Sequence, residues 1–263
     1  MFNRIRLSVE EARNHSEGAL RGIGYDAEEA RIIADHVIDA ALCGYEYSGL
    51  AKILNIPEHR RFARPRYAMK ILRETEVSTL YDGGNNVGML AMYHAAKAVI
   101  EKAENRGIAV VGVTNSWMSG RSAYYVEMIA KANLVGIHTA SSARSVAPFG
   151  GTRAALGTNP IAFGMPSSRG PVVLDMGTSA FMGTDLAYRA RLGQLPPRVW
   201  PSMPRGCRRA IQNSLGSARF CRSAAIRVLG SPLSFKHSGS SPDLHSTLTK
   251  TTDTCSWCSS PTC

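Results

Sequence analysis

APFGGTRAALGTNPIAFGMPSSRGPVVLDMGT, Ala147–Thr178, decides how the rest of the chain is read. Two apolar runs stand in it, Ile161–Met165 and Val172–Asp175, each bounded by Gly or Pro. Short apolar runs between turn residues read as strands. Before the first run lies GTNP (Gly157–Pro160), a Gly followed by polar side chains and a Pro, which is turn chemistry. Asp175 closes the second run. Strand ends face the crevice of an α/β sheet, so a carboxylate there is a site candidate; the plain alternative is a helix N-cap.

Working outward, the N-terminal part is helical. Ser8 with Glu11 forms a capping box that opens a helix ending near Gly22–Gly24. Asp26 with Glu29 opens another, with Ala30, Ile33, Val37 and Ala41 at helical spacing and Gly44 as terminator. The segment to about Ile71 reads as irregular or helical, broken by Pro57 and Pro65. Val77–Leu80 reads as a strand, followed by the turn residues Asp82–Asn86. Val87–Arg106 has a long helical pattern that stops at Gly107, and Ile108–Thr114 is apolar enough for a buried strand. Gly120–Ala132 reads as a helix and Leu134–Thr139 as a strand. Strands alternating with helices predict an α/β protein: a helical N-terminal segment over 1–72 and an α/β domain over 73–197.

NSWMSGRSAYY (Asn115–Tyr125) joins a strand to a helix. Its backbone N–H groups and the hydroxyls of Ser116, Ser119 and Ser122 offer an anion a seat at a helix N-terminus; the alternative is a capped turn without a ligand. Neither GxGxxG nor GxxxxGK[ST] occurs, so neither standard nucleotide loop is present.

APFGG (Ala147–Gly151), LGTNP (Leu156–Pro160) and LDMGTS (Leu174–Ser179) occur with DGGNNVG (Asp82–Gly88) and GIAVVGV (Gly107–Val113) upstream. Together, in this order and spacing, they resemble the malate/L-lactate/ureidoglycolate dehydrogenase family, whose fold is not the Rossmann fold. The resemblance runs from the N-terminus to about Pro197. It implies a mixed sheet with flanking helices, here incomplete, and an NAD(P)-dependent oxidoreductase. NAD or NADP would be held by the turn at Gly157, Thr158 and Asn159 and by the segment Asp175, Met176, Thr178 and Ser179, with Ser116 and Ser119 nearby. Hydride would pass to or from a 2-oxo acid, a 2-hydroxy acid or a cyclic imino acid, in a homodimer.

Two departures from the family pattern bear on the chemistry. The family carries a DSHG-type motif after its second helix; the matching stretch is GYEYSGLAK (Gly44–Lys52), with Tyr47 in place of the Ser and Ser48 in place of the active-site His. Lys52 matches a family Arg that grips the substrate carboxylate. An ammonium holds a carboxylate without the bidentate fork of Arg. In the family's NSxHxG loop, Met118 replaces the His, and a thioether neither gives nor takes a proton. Tyr47, Ser48 or a water would then serve, or the substrate is an imine that arrives protonated. The candidate catalytic set is therefore Tyr47, Ser48, Lys52 and Met118.

The totals mislead because the chain is not uniform. Residues 198–263 hold nine Lys or Arg against Asp243 and Asp253, while the preceding 197 hold 22 basic and 18 acidic side chains. The basic character is a property of the tail and argues little for a nucleic-acid partner. No apolar run reaches the length of a membrane span and no signal-peptide pattern opens the chain, which predicts a cytoplasmic protein. Cys43 is the one cysteine before the tail, as expected of a reducing compartment. CSWC (Cys255–Cys258) lacks a second ligand pair at finger spacing, so no metal is expected.

The tail itself reads as the same gene in a shifted frame. If each original codon began at the third base of the present one, Arg222–Pro232 permits PFGGHKGFGLA, a motif the family carries and this chain lacks. The same offset over Arg198–Ser214 permits GVAIDAEGLPTRDPEQ. A net loss of one base near the Pro197 codon accounts for both. A tail so produced has no reason to pack and is expected to be disordered. Two functions follow: a family oxidoreductase impaired in this chain, or an inactive, pseudogene-type product or non-catalytic binding protein with a basic tail.

Overall fold

A computed structural model describes residues 5–148, 153–179 and 182–194. The tail 198–263, its frame-shifted motif and its cysteines lie outside the described residues, as do Phe149–Gly151 of the first motif. Among the described residues no helix is long and apolar enough to cross a membrane.

Both N-terminal helices start where the sequence marks them. Helix α1 (Val9–Gly22) and helix α2 (Ala27–Leu42) each open on a reciprocal capping box, Ser8 with Glu11 and Asp26 with Glu29. Helix α1 buries one narrow stripe, Ala12, Ser16 and Leu20. Helix α2 buries a much broader face: Ala30, Ile32, Ile33, Ala34, His36, Val37, Ile38 and Ala40. A helix with so broad an apolar face belongs against the core, with Glu28, Arg31, Asp35 and Asp39 along its outer stripe. Val87, Met89, Leu90 and Trp117 join it there, so one core runs from the helical segment into the α/β part.

The chain then makes two 3-10 turns, Glu46–Ser48 and Leu50–Lys52, and a short helix α3 (Asn55–Glu58). Strand β1 (Lys70–Glu74) pairs antiparallel with β2 (Ser78–Asp82). Strand β2 leads through helix α4 (Gly88–Arg106) to β3 (Val110–Thr114), which lies parallel to it. Gly107, in the left-handed region at φ 77°, ends α4 as its sequence predicts. This mixed sheet has the order β1-β2-β3. Helix α5 (Ser122–Lys131) follows, then a second sheet, an antiparallel meander of β4 (Gly136–Thr139), β5 (Ile161–Met165) and β6 (Val172–Met176). Helix α6 (Gly183–Arg191) closes the described part.

Three differences from the sequence reading have physical causes. Strand β1 falls where an irregular or helical segment ended; its residues Lys70–Glu74 are all exposed, so no apolar alternation marks them. Strand β3 is apolar but not buried: Val110 is 65% exposed. Helix α6 is short and polar on average, and buries only Leu186, so no apolar run marks it in the sequence.

Candidate active site

The turn after α2 folds back on that helix. A Cβ at Gly49 would stand 2.9 Å from the Ala41 Cβ, so only glycine lets the turn lie this close. The turn carries Tyr47, half-buried, and Ser48 and Lys52, both buried. Burial pushes the Tyr47 phenol up to about 12, helped by Tyr45, Asp185 and Asp175, so it stays a protonated donor. Lys52 is 5% exposed, and no described carboxylate lies within ion-pair distance of it. Burial alone pulls its amine down to about 8. Its charge reaches two histidines, His36 and His59.

The second wall is the loop between β3 and α5. Asn115 and Met118 both hold positive φ, 50° and 61°. Left-handed backbone at non-glycine residues collects at functional loops. Met118, in place of the family His, packs partly buried against the core. Trp117 is buried and donates its indole N–H to the Asn85 carbonyl at 2.9 Å. Arg61 stitches this loop to the segment after α3: it donates to Asn85 Oδ1 at 2.9 Å, to the Ser116 carbonyl at 3.0 Å and to Asn115 Oδ1. His59 rides on the same clamp, its ring stacked on Trp117 at 4.4 Å and 3°. The sequence reading passed over His59 and Arg61; a histidine inside EHRRFARPR carries no periodicity and no motif.

The expected cofactor residues separate into two groups. Gly157, Thr158, Asn159 and Thr178 do come together. The Thr158 N–H donates to Ser142 Oγ at 2.8 Å, Asn159 Oδ1 accepts from the Ser142 N–H at 3.1 Å, and the Thr178 hydroxyl donates to the Thr158 carbonyl at 2.8 Å. Along β6 side chains alternate, so Asp175 points inward while Met176, 37% exposed, lies on the outer face. Met176 and Asp175 therefore do not share a wall. Ser179 follows, half-buried.

An anion does sit at the N-terminus of α5, and it is this chain's own. Asp175 Oδ2 accepts from the Ala123 N–H at 2.9 Å. Helix α5 has no cap from its own Arg121, so the strand supplies one. One donor of this helix N-terminus, the Ala123 N–H, is thus taken by a carboxylate, because the helix dipole and its orphan donors favour a nearby negative charge. Ser122 is buried beneath it.

Behind these residues lies a sealed aromatic row. His36 and His138 flank Tyr125, with ring centroids 5.5 and 5.1 Å away. Burial drives His36 down to about 3 and His138 to about 4, so both are neutral. His36 Nε2 accepts from the Arg121 N–H at 2.9 Å. A Cβ at Gly120, which has φ 78°, would meet that nitrogen at 2.2 Å. The row supports the loop and does not open onto it.

A sequence profile described as malate/L-lactate dehydrogenase matches residues 7–207. The chain is 35% identical over 195 residues to an L-sulfolactate dehydrogenase of Methanothermobacter thermautotrophicus, covering 73% of this chain and 57% of that protein. It is 35% identical over 208 residues to a malate dehydrogenase of Pyrococcus abyssi, covering 78% and 57%. Among solved structures, the malate dehydrogenase of Pyrococcus horikoshii OT3 superposes with a TM-score of 0.64 at 31% identity, over 71% of this chain and 56% of that one. The chain spans little more than half the length of the relatives it matches.

Proposed function

The chain belongs to the malate/L-lactate dehydrogenase family, and we propose that its site is built to pass hydride between NAD or NADP and a small 2-oxo acid, 2-hydroxy acid or cyclic imino acid. One observation carries this reading: Lys52 is a buried amine with no carboxylate partner among the described residues. A buried charge needs a partner, and without one the group sheds its charge. A substrate carboxylate is the missing partner, at the position where the family pattern has its carboxylate-gripping Arg. Tyr47, on the turn just before it, is held protonated and is a hydrogen-bond donor.

A nicotinamide cofactor supplies or accepts the hydride when bound. The residues that fit it are the turn Gly157–Asn159 with Thr178, a polar surface whose Asn159 is exposed and held at φ 28°. Asp175 serves this site indirectly, by fixing the start of α5. On the family pattern the enzyme works in the cytoplasm as a homodimer.

Cofactor binding is impaired in the chain as it stands. The family match ending at residue 207 of 263 supports a change of reading frame near Pro197. Resequencing genomic DNA across the codons for Gly193–Trp200 tests the frame. Titration with NADPH tests the consequence: the present chain is expected to bind at least about tenfold more weakly than the frame-restored chain, a deficit of about 1.4 kcal/mol. Tight, saturable binding by the present chain would refute it.

A second reading, an inactive or purely binding product, is favoured by Ser48 and Met118, which remove both family histidines. Its mark would be salt-sensitive retention on DNA or RNA that disappears when residues 198–263 are deleted.

A further inference from the structure

We infer that the cavity beside Trp117 is a binding site for a small carboxylic acid with a ring-sized apolar body, its carboxylate held by Arg64 and Arg61. This site is separate from the one at Lys52 and does not rest on the reading of it: Tyr47, Ser48 and Lys52 do not line the cavity.

The cavity has a volume of about 140 Å³. Part of its wall is apolar: Ile23 and Tyr25 from the turn between α1 and α2, Phe62 from the segment after α3, and Trp117 from the loop after β3. Tyr25 and Trp117 are buried, and Ile23 and Phe62 pack against the core. The rest is cationic or polar: Arg61, Arg64, Arg66 and Asn85. Among the described residues no carboxylate lines it.

The three arginines differ in what answers their charge. Arg66 donates to Glu29 Oε2 at 2.7 Å and to the Gly24 carbonyl at 2.9 Å, with its guanidinium 4.7 Å from the centre of the Tyr25 ring. Its charge is met. Arg61 spends its contacts on neutral oxygens only, those of Asn85, Asn115 and the Ser116 backbone. Asp82, which accepts from Asn115 at 2.8 Å, stands one residue further off. Arg64 is held by its backbone: its N–H donates to the Arg61 carbonyl at 3.1 Å and its carbonyl accepts from Asn85 Nδ2 at 3.2 Å. Its guanidinium has no hydrogen bond or ion pair among the described residues. Two unanswered positive charges on one small cavity favour an anion between them. A guanidinium offers several N–H donors in a planar fork that matches a carboxylate, and those of Arg64 are all unspent.

Size and wall chemistry select the ligand. An apolar cavity of about 150 Å³ takes benzene, so this one admits a single ring or a branched chain of that bulk. Drug-sized ligands occupy about 300–1,000 Å³, which excludes a dinucleotide here. Inorganic phosphate would answer the arginines but leave Ile23, Tyr25, Phe62 and Trp117 facing a fully polar ion. An acid with an aromatic or branched apolar body suits both parts of the wall.

The test titrates the full chain with benzoate, acetate, inorganic phosphate and benzyl alcohol. It is read by calorimetry and by the indole N–H resonance of Trp117, assigned against Trp117→Phe. Benzoate is expected to bind saturably, to move that resonance, and to bind at least about tenfold more tightly than acetate or phosphate, the worth of burying its ring. Arg64→Gln removes a side chain with no described partner, so the melting temperature should hold while benzoate weakens about tenfold, the worth of a charge-assisted hydrogen bond. Arg64→Lys should recover part of the loss. No saturable binding of benzoate in the millimolar range overturns the proposal. Phosphate or acetate bound as tightly as benzoate overturns the ring-sized ligand, and benzyl alcohol bound as tightly overturns the role of the arginines. Benzoate binding lost in Lys52→Met but kept in Arg64→Gln would put the acid at the other site and overturn this one.

Discussion

Lys52 carries opposite consequences for stability and for binding. Its folded amine titrates near 8, against an ordinary value of 10.5. The sign follows from linkage: a base whose pKa falls on folding binds fewer protons folded than unfolded, so protonation opposes folding. The cost grows as pH falls from 10.5 to about 8 and is constant below that. A depression of this size corresponds to about 3 kcal/mol at neutral pH. Lys52→Met should therefore stabilise the chain at pH 7 by up to about 3 kcal/mol and by much less at pH 10, as urea unfolding midpoints at the two pH values will report. The same variant should lose carboxylate binding. A site residue that costs stability while it waits for its ligand is the usual exchange of stability for function. Met118 has no comparable cost: an apolar side chain packed against the core suits a position where the family pattern has a histidine.

At the scale of elements, β6 and α5 are locked by one side chain. Asp175 reaches from the strand to the Ala123 N–H and replaces the cap that Arg121 does not give. Asp175→Ala should cost about 1–2 kcal/mol, the worth of a helix cap, and Asp175→Asn less. Faster hydrogen exchange in the first turn of α5 will distinguish loss of the cap from a general loosening. How much of the fold was legible follows from the same elements. Helices α1, α2 and α4 announce themselves because their caps and terminators are local: Ser8, Asp26 and Gly107 act on their own helices. Asp175 could be named as a site or a cap but not assigned, since its partner lies 52 residues away. Lys52 could be placed by motif, whereas His59 depends on a stack between distant loops that no spacing encodes. Strand β1 was missed because an exposed strand has no apolar face to reveal it.

At the scale of the molecule, the second sheet is covered on one face only among the described residues. Helix α5 packs on the side of His138, Ala162 and Gly164, where a Cβ at Gly164 would meet the Val126 carbonyl oxygen at 2.3 Å. On the other side Ile137, Phe163 and Leu174 stand in one cross-strand row, with Ile137 54% and Leu174 41% exposed. Contiguous apolar surface of this kind drives association. Ile137→Lys combined with Leu174→Glu should raise soluble yield and shrink the light-scattering fraction without lowering the melting temperature; unchanged aggregation would place its origin elsewhere. In a living cell the row acquires another meaning. Chaperones and proteases recognise exposed apolar strands, so the standing amount of this protein would be governed by how quickly quality control clears it rather than by how often its gene is read.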